Sequence, residues 1–263
     1  MMNHLNKNSW IVVGNASKQI PLGALPNSIA VGFNQPAYGT LKYDILIQNQ
    51  RVSSQSLPIA VTGDLATEDL TTQLLQNANK LAFQLGVWPS LGLIAIHTGM
   101  QLGLNLHVRN MDLLPKIARS HTLNPRKPLP CTYHNWLAER RTIFPIIGQL
   151  DWPSFHLKPI NYPERHISLE SCELVEMLIR LPILERDLAR KSMDLLSQLH
   201  PADWLMAMKQ TTDTEIAAID QLFCLSREHQ ITPNWWLYDF QYSHIMGTIF
   251  RQIASAQQHL VLR

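Results

Sequence analysis

Over the first sixty residues the hydrophobic positions fall in short unbroken runs. "WIVV" (10–13), "SIAVGF" (28–33), "YDILIQ" (43–48) and "IAV" (59–61) are each bounded by Gly, Asn or Pro. Short apolar runs closed by turn residues predict buried strands. The period then changes. From 67 to 86 the apolar positions recur at 70, 74, 75, 81, 82 and 85, with Thr67 as N-cap, acids at 68 and 69, and Gly86 closing the segment. That predicts an amphipathic helix. Residues 89–103 are apolar on most sides and predict a second, buried helix, and "LNLHV" (104–108) reads as a strand after the turn at Gly103. Strand, helix and strand in that order suggest a crossover of a parallel sheet.

The second half carries another pattern. Residues 120–131 hold three prolines and read as a loop. The stretch from Tyr133 reads as helical up to Pro145, and 151–165 is Pro-rich and irregular. Helical patterns follow at 168–181, interrupted by Pro182, and at 183–200. Another begins at the capping box of Thr212 and Glu215, and the last runs from Pro233, near its first turn, to Leu260. The expected fold is α/β: an open, mostly parallel Rossmann-like sheet with helices on both faces, followed by a mainly α-helical C-terminal region. The expected division is 1–150 and 151–263.

Composition narrows the classes. With 46% hydrophobic residues and 16% charged, the chain can bury a large core and is not disordered. A net charge of +2 without a dense Lys/Arg run gives no reason to expect a nucleic-acid partner. Cys131, Cys172 and Cys224 are far apart and form no CxxC pair, so neither a zinc site nor a disulfide framework is suggested. The first ten residues lack the apolar core of a secretory signal, and no stretch approaches the ~20 apolar residues of a membrane helix. A cytoplasmic setting is the expectation.

Three segments carry candidate chemistry. The turn after the first strand, Gly14-Asn15-Ala16, ends a strand as a nucleotide-binding turn does, yet it has neither a Walker lysine nor GxGxxG. Its alternative is an ordinary strand–turn. "WPSLG" (88–92) opens a buried helix with Ser90, where exposed N–H groups attract anions; a plain serine cap is the simpler explanation. In "HNWLAERR" (134–141), His134 and Glu139 would point ~140° apart on one helix. A direct contact therefore requires His134 at or before the helix N-terminus. The competing reading is a surface histidine. His97 and His107 read as core or edge histidines, and the aromatics of 234–242 as helix core.

In order and rough spacing these segments resemble the sialyltransferase family that includes the animal Golgi enzymes, over roughly residues 10–140. Val12-Val13-Gly14-Asn15 with Asn34 in "GFNQ" resembles the first family block. Pro89, Ser90 and Gly92, followed by an apolar helix and strand, resemble the second. His134 and Glu139 fit the last block, His-x4-Glu. Against the family pattern, Gly32 stands in place of an arginine, Leu91 in place of a hydroxyl residue and Asn110 near an expected glycine. The family's cysteine pair is missing.

The resemblance implies transfer of a sialic-acid-type sugar from a CMP-activated donor to an acceptor hydroxyl, with inversion, without a metal and with no cofactor beyond the donor itself. It implies that Gly14, Asn15, Ala16, Asn34, Ser90, Leu91 and Gly92 meet the donor. It makes His134 the general base, with Glu139 beside it. A glycan or another hydroxyl compound would be the acceptor, and the helical C-terminal region would be free for a homodimer or a protein partner. The alternative is a non-catalytic accessory protein that keeps the sheet as a scaffold.

Overall fold

The computed structural model describes residues 9–14, 28–34, 43–50, 58–124, 127–158, 169–225 and 234–262. Two compact units emerge, one of residues 1–112 and 145–156 and one of 113–144 and 157–263. A single cut at 150 does not describe this division. Residues 113–144 group with the C-terminal helices, and 145–156 return to the sheet, because Leu150 and Asp151 pair with Leu106 and His107 to form its edge.

The first unit contains β1 (Ser9–Val13), β2 (Ser28–Phe33), β3 (Ile45–Asn49), β4 (Ile59–Thr62), α1 (Glu68–Leu85), α2 (Leu91–Gln101), β5 (Asn105–Arg109) and β6 (Leu150–Asp151). They form one six-stranded sheet in the order β4-β3-β2-β1-β5-β6. Every pairing is parallel except β3 with β4. The mostly parallel α/β sheet expected from the apolar runs is therefore present. Val12, Val31, Ile47 and Val108 are fully buried along the central strands, as sheets covered by helices require.

The first helix keeps its sequence signals. Thr67 accepts a hydrogen bond from the N–H of Leu70 at 3.1 Å, and Gly86 ends α1 at φ +70°. In α2 the tolerance for Gly99 has a packing cause. A Cβ there would lie 2.6 Å from Cδ2 of Leu106 and 3.2 Å from Cε3 of Trp10, so the helix lies directly on β1 and β5. The helix is buried on nearly every side: Leu93, Ile94, Ala95 and Ile96, which follow one another around it, are all removed entirely from solvent.

The second unit holds α3 (Trp136–Ile143), α4 (Ser171–Arg180), α5 (Arg186–Ser197), α6 (Pro201–Gln210), α7 (Asp213–Gln221) and α8 (Phe240–Val261). Trp204, Trp236, Leu178, Met193, Ile249 and Ile253 form a core with no exposure. Burying each such side chain stabilises the fold by about 1.5–3 kcal/mol before entropy is counted.

Three details depart from the sequence expectations. α6 was not expected. It starts with Pro201 at its first position, and His200 accepts from the N–H of Ala202 at 3.2 Å while Asp203 accepts from the N–H of His200 at 3.2 Å. The last helix begins at Phe240 rather than near Pro233. Residues Trp235–Tyr238 form a 3-10 turn, and Asp239 caps α8 by accepting from the N–H of Tyr242 at 3.0 Å. The helix opened by Thr212 and Glu215 ends at Gln221, and residues 226–233 lie outside the described part.

Candidate functional site

In the first unit the strand order reverses between β1 and β5. From β1 the sheet runs one way through β2 and β3, and from β5 it runs the other way to β6. In open parallel sheets ligands bind outside the carboxyl ends of the strands at such a reversal. Here those ends are Gly14 after β1 and Asn110 after β5. The N–H of Gly14 donates to the carbonyl of Arg109 at 2.8 Å, and buried Asn110 takes φ +54° to turn the chain away.

Gly14 is required by close approach. A Cβ there would lie 2.4 Å from the carbonyl oxygen of Asn110 and 2.6 Å from Cβ of Met111. Gly92, in the first turn of α2, meets the same residue: its Cβ would lie 2.4 Å from Sδ of Met111 and 3.8 Å from Cε2 of Phe33. The turn after β1 and the start of α2 thus both pack against Met111, and Phe33 at the end of β2 lies beside Gly92. Ser90 caps α2, its Oγ accepting from the N–H of Leu93 at 3.3 Å. Ser90 and Leu91 are only 8% and 5% exposed, so the positive end of this helix is largely withdrawn from water. Met111 was not singled out in the sequence, since nothing local marks a methionine that fills a turn from across the sheet.

Of the other donor-site residues, Asn15 and Ala16 lie outside the described residues. Asn34 is exposed, at φ +53°, and its polar groups are used by the sheet. Its N–H donates to the carbonyl of Ile47 at 2.8 Å, and its Oδ1 accepts from the N–H of Asn49 at 3.1 Å. The carboxamide oxygen therefore ties β2 to β3. At Gly32, where the family has arginine, a Cβ would lie 2.7 Å from the ring of Tyr43. The aromatic ring occupies the space that a side chain at 32 would need.

His134 and Glu139 belong to the second unit. A 3-10 turn over Pro130–Tyr133 leaves His134 extended at φ −118° and ψ 144°, just before Asn135, whose Oδ1 caps α3 by accepting from the N–H of Ala138 at 3.1 Å. His134 thus stands outside the helix, and its Nδ1 comes to 4.0 Å from Oε1 of Glu139. This is an ion-pair distance, longer than a hydrogen bond. Catalytic contacts often tighten only when a ligand is bound. The imidazole sits edge-on to Trp136 with ring centres 5.2 Å apart.

Glu139 and Arg140 have no exposure, and Asp220 has 5%. Buried charges are tolerated when paired and hydrogen-bonded. Arg141 donates from Nη1 to Oδ1 of Asp220, and Asn135 donates from Nδ2 to Oδ2, each at 3.0 Å. Burial first, then the nearby carboxylates of Asp220 and Glu139, push the Cys224 thiol up to about 11, so it stays protonated near neutral pH. The segment can hold a histidine beside a fixed carboxylate, the pairing a general base uses.

His107, expected as a satisfied core or edge histidine, is one: its ring is hydrogen-bonded at the sheet edge. Its Nδ1 lies 2.8 Å from Oδ2 of Asp151, which also accepts from Nη2 of Arg109. The register His107↔Asp151 creates this contact, and it depends on β6, a two-residue strand that leaves no periodicity to read. His97 departs from that expectation. Its Nε2 is buried without a hydrogen-bond partner, whereas a satisfied core histidine would have one.

Among the described residues, no group of three or more His, Cys, Asp or Glu side chains is placed to hold a metal ion, and no helix is long and apolar enough to cross a membrane. The fold is that of an α/β protein with a parallel-sheet reversal. No protein-family model, curated protein or solved structure matches the chain.

Proposed function

We propose that this chain is a glycosyltransferase-like protein that moves a sialic-acid-type sugar from a CMP-activated donor to an acceptor hydroxyl, with inversion and without a metal. One observation carries the reading. Gly14 at the end of β1 and Gly92 at the start of α2, far apart in sequence, both pack against Met111, just past the carboxyl end of β5 at the reversal of the strand order. A helix N-terminus there supplies donors for the anionic leaving group CMP. His134, supported by buried Glu139, is the proposed base for the acceptor hydroxyl. The cytoplasm is the proposed compartment, and the three cysteines are free thiols, as such a setting permits.

A second reading has its own observation. Met111 packs against both Gly14 and Gly92, so tight packing alone accounts for both glycines. A non-catalytic accessory protein that retains the sheet and acts through its helical unit fits that. Incubation with CMP-sialic acid and hydroxyl acceptors, followed by mass spectrometry, separates the two. The transferase releases CMP and yields a glycosylated product that disappears in His134→Ala. The accessory protein yields neither.

A further inference from the structure

We propose that the groove between α1 and α2 is a binding site for a phosphate monoester of a small hydroxylated molecule. The inference is independent of the CMP reading, because His97 lies about two helical turns along α2 from Ser90. A cavity of about 390 Å3 is lined by Gln76, Asn77 and Lys80 from α1 and by His97 and Gln101 from α2. Every lining side chain is polar, which is unusual for a ligand-sized pocket, where apolar surface normally dominates.

The hydrogen-bonding capacity of this lining is largely unspent. Lys80 makes no ion pair among the described residues, and no acidic side chain lines the groove. Among the described residues the amides of Gln76 and Gln101 make no hydrogen bond. Nε2 of His97 is buried with no hydrogen-bond partner, an arrangement that costs stability unless a ligand or water completes it. Burial first, and then Lys80, hold this imidazole below its usual value of 6.5. It is therefore neutral near pH 7 and offers one N–H donor and one acceptor. Asn77 is already engaged: its Nδ2 donates to Oγ1 of Thr98 at 3.0 Å, which holds the amide in place and leaves Oδ1 as an acceptor.

That inventory selects the ligand class. One cation and several N–H donors line the same groove, and these suit a tetrahedral oxyanion with three free oxygens. A planar carboxylate has two oxygens and would leave donors idle. The acceptor at Asn77 asks for a donor on the same ligand, which a hydroxyl supplies. A nucleotide base would meet little apolar surface in this lining, whose one ring is the imidazole of His97.

The test is calorimetric titration of the full chain with glycerol phosphate, with glycerol and inorganic phosphate as comparison arms. Saturable 1:1 binding of glycerol phosphate is expected, tighter than that of inorganic phosphate, with none for glycerol. Lys80 is exposed, so Lys80→Gln should fold normally and weaken glycerol phosphate roughly tenfold or more by losing a charge-assisted contact. His97→Gln should weaken it as well, with folding checked by circular dichroism. Absence of saturation into the millimolar range overturns the proposal, as does an affinity unchanged in both variants. Equal binding of glycerol phosphate and inorganic phosphate removes the hydroxylated ester from it.

Discussion

Nδ1 of His134 lies 4.0 Å from Oε1 of Glu139, a carboxylate with no solvent exposure. The pair forms because His134 is extended ahead of the Asn135 cap and folds back over the first turn of α3. A base held this way typically contributes ~100- to 10,000-fold to a proton-transfer step. His134→Ala should therefore lower sugar transfer by roughly that factor while leaving CMP affinity within about twofold, measured by product formation and by calorimetry. Equal loss of CMP binding would mean that His134 serves the fold and not the reaction.

Gly14→Ala and Gly92→Ala should behave differently although both meet Met111. At Gly14 the obstacle is the backbone carbonyl of Asn110, which cannot step aside, so a loss of about 1–3 kcal/mol is expected. At Gly92 the obstacle is the flexible thioether end of Met111, and replacing a helical glycine returns up to about 1 kcal/mol of helix propensity. The net change should be close to zero. Met111→Ala should relieve Gly92→Ala but not Gly14→Ala in a double-mutant cycle followed by urea denaturation.

These relations mark the limit of what the sequence discloses. β1 to β5, α1 and α2 were legible because their apolar periods and caps are local properties. The crowding of Met111 onto two glycines and the use of Asn34 Oδ1 to bind β3 exist only after distant strands are paired. β6 is too short to show a period, and with it the His107–Asp151 contact stayed hidden. α6 had a readable start at Pro201, but its ten residues lie between two stronger helical patterns. His134 is the opposite case: the angular argument on α3 required it to precede the helix, and it does.

Arg141→Met should destabilise the helical unit. It strips the guanidinium from Asp220, which is 5% exposed and keeps only the Asn135 amide as a close donor. Removing one member of such a pair leaves a buried charge, at a cost of about 3 kcal/mol, the lower end of the usual range because Arg141 is 27% exposed. A fall in the urea midpoint at constant slope would register it. Arg141→Met with Asp220→Asn should recover part of the loss, since no uncompensated charge remains.

Asp151 links the sheet edge to pH. Hydrogen bonds from Arg109 first and His107 second hold its carboxyl below the ordinary value of 3.8. The folded chain therefore binds fewer protons there than the unfolded chain. The stabilisation is complete above about pH 4 and is lost as pH falls through the depressed folded value. The carboxylate is 46% exposed, so solvent limits the effect to less than about 1 kcal/mol. Asp151→Asn should flatten this acid-side slope in urea titrations at stepped pH, lowering stability above pH 5 by that amount and matching the parent chain at acid pH.

The central claim is that the β1/β5 reversal with the start of α2 binds a cytidine nucleotide, and calorimetric titration of the full chain with CMP tests it most directly. Saturable 1:1 binding is expected, at least tenfold tighter than for AMP and weakened roughly tenfold by Ser90→Ala, the equivalent of about 1.4 kcal/mol. No saturation into the millimolar range, or binding that Ser90→Ala leaves unaltered, would contradict it.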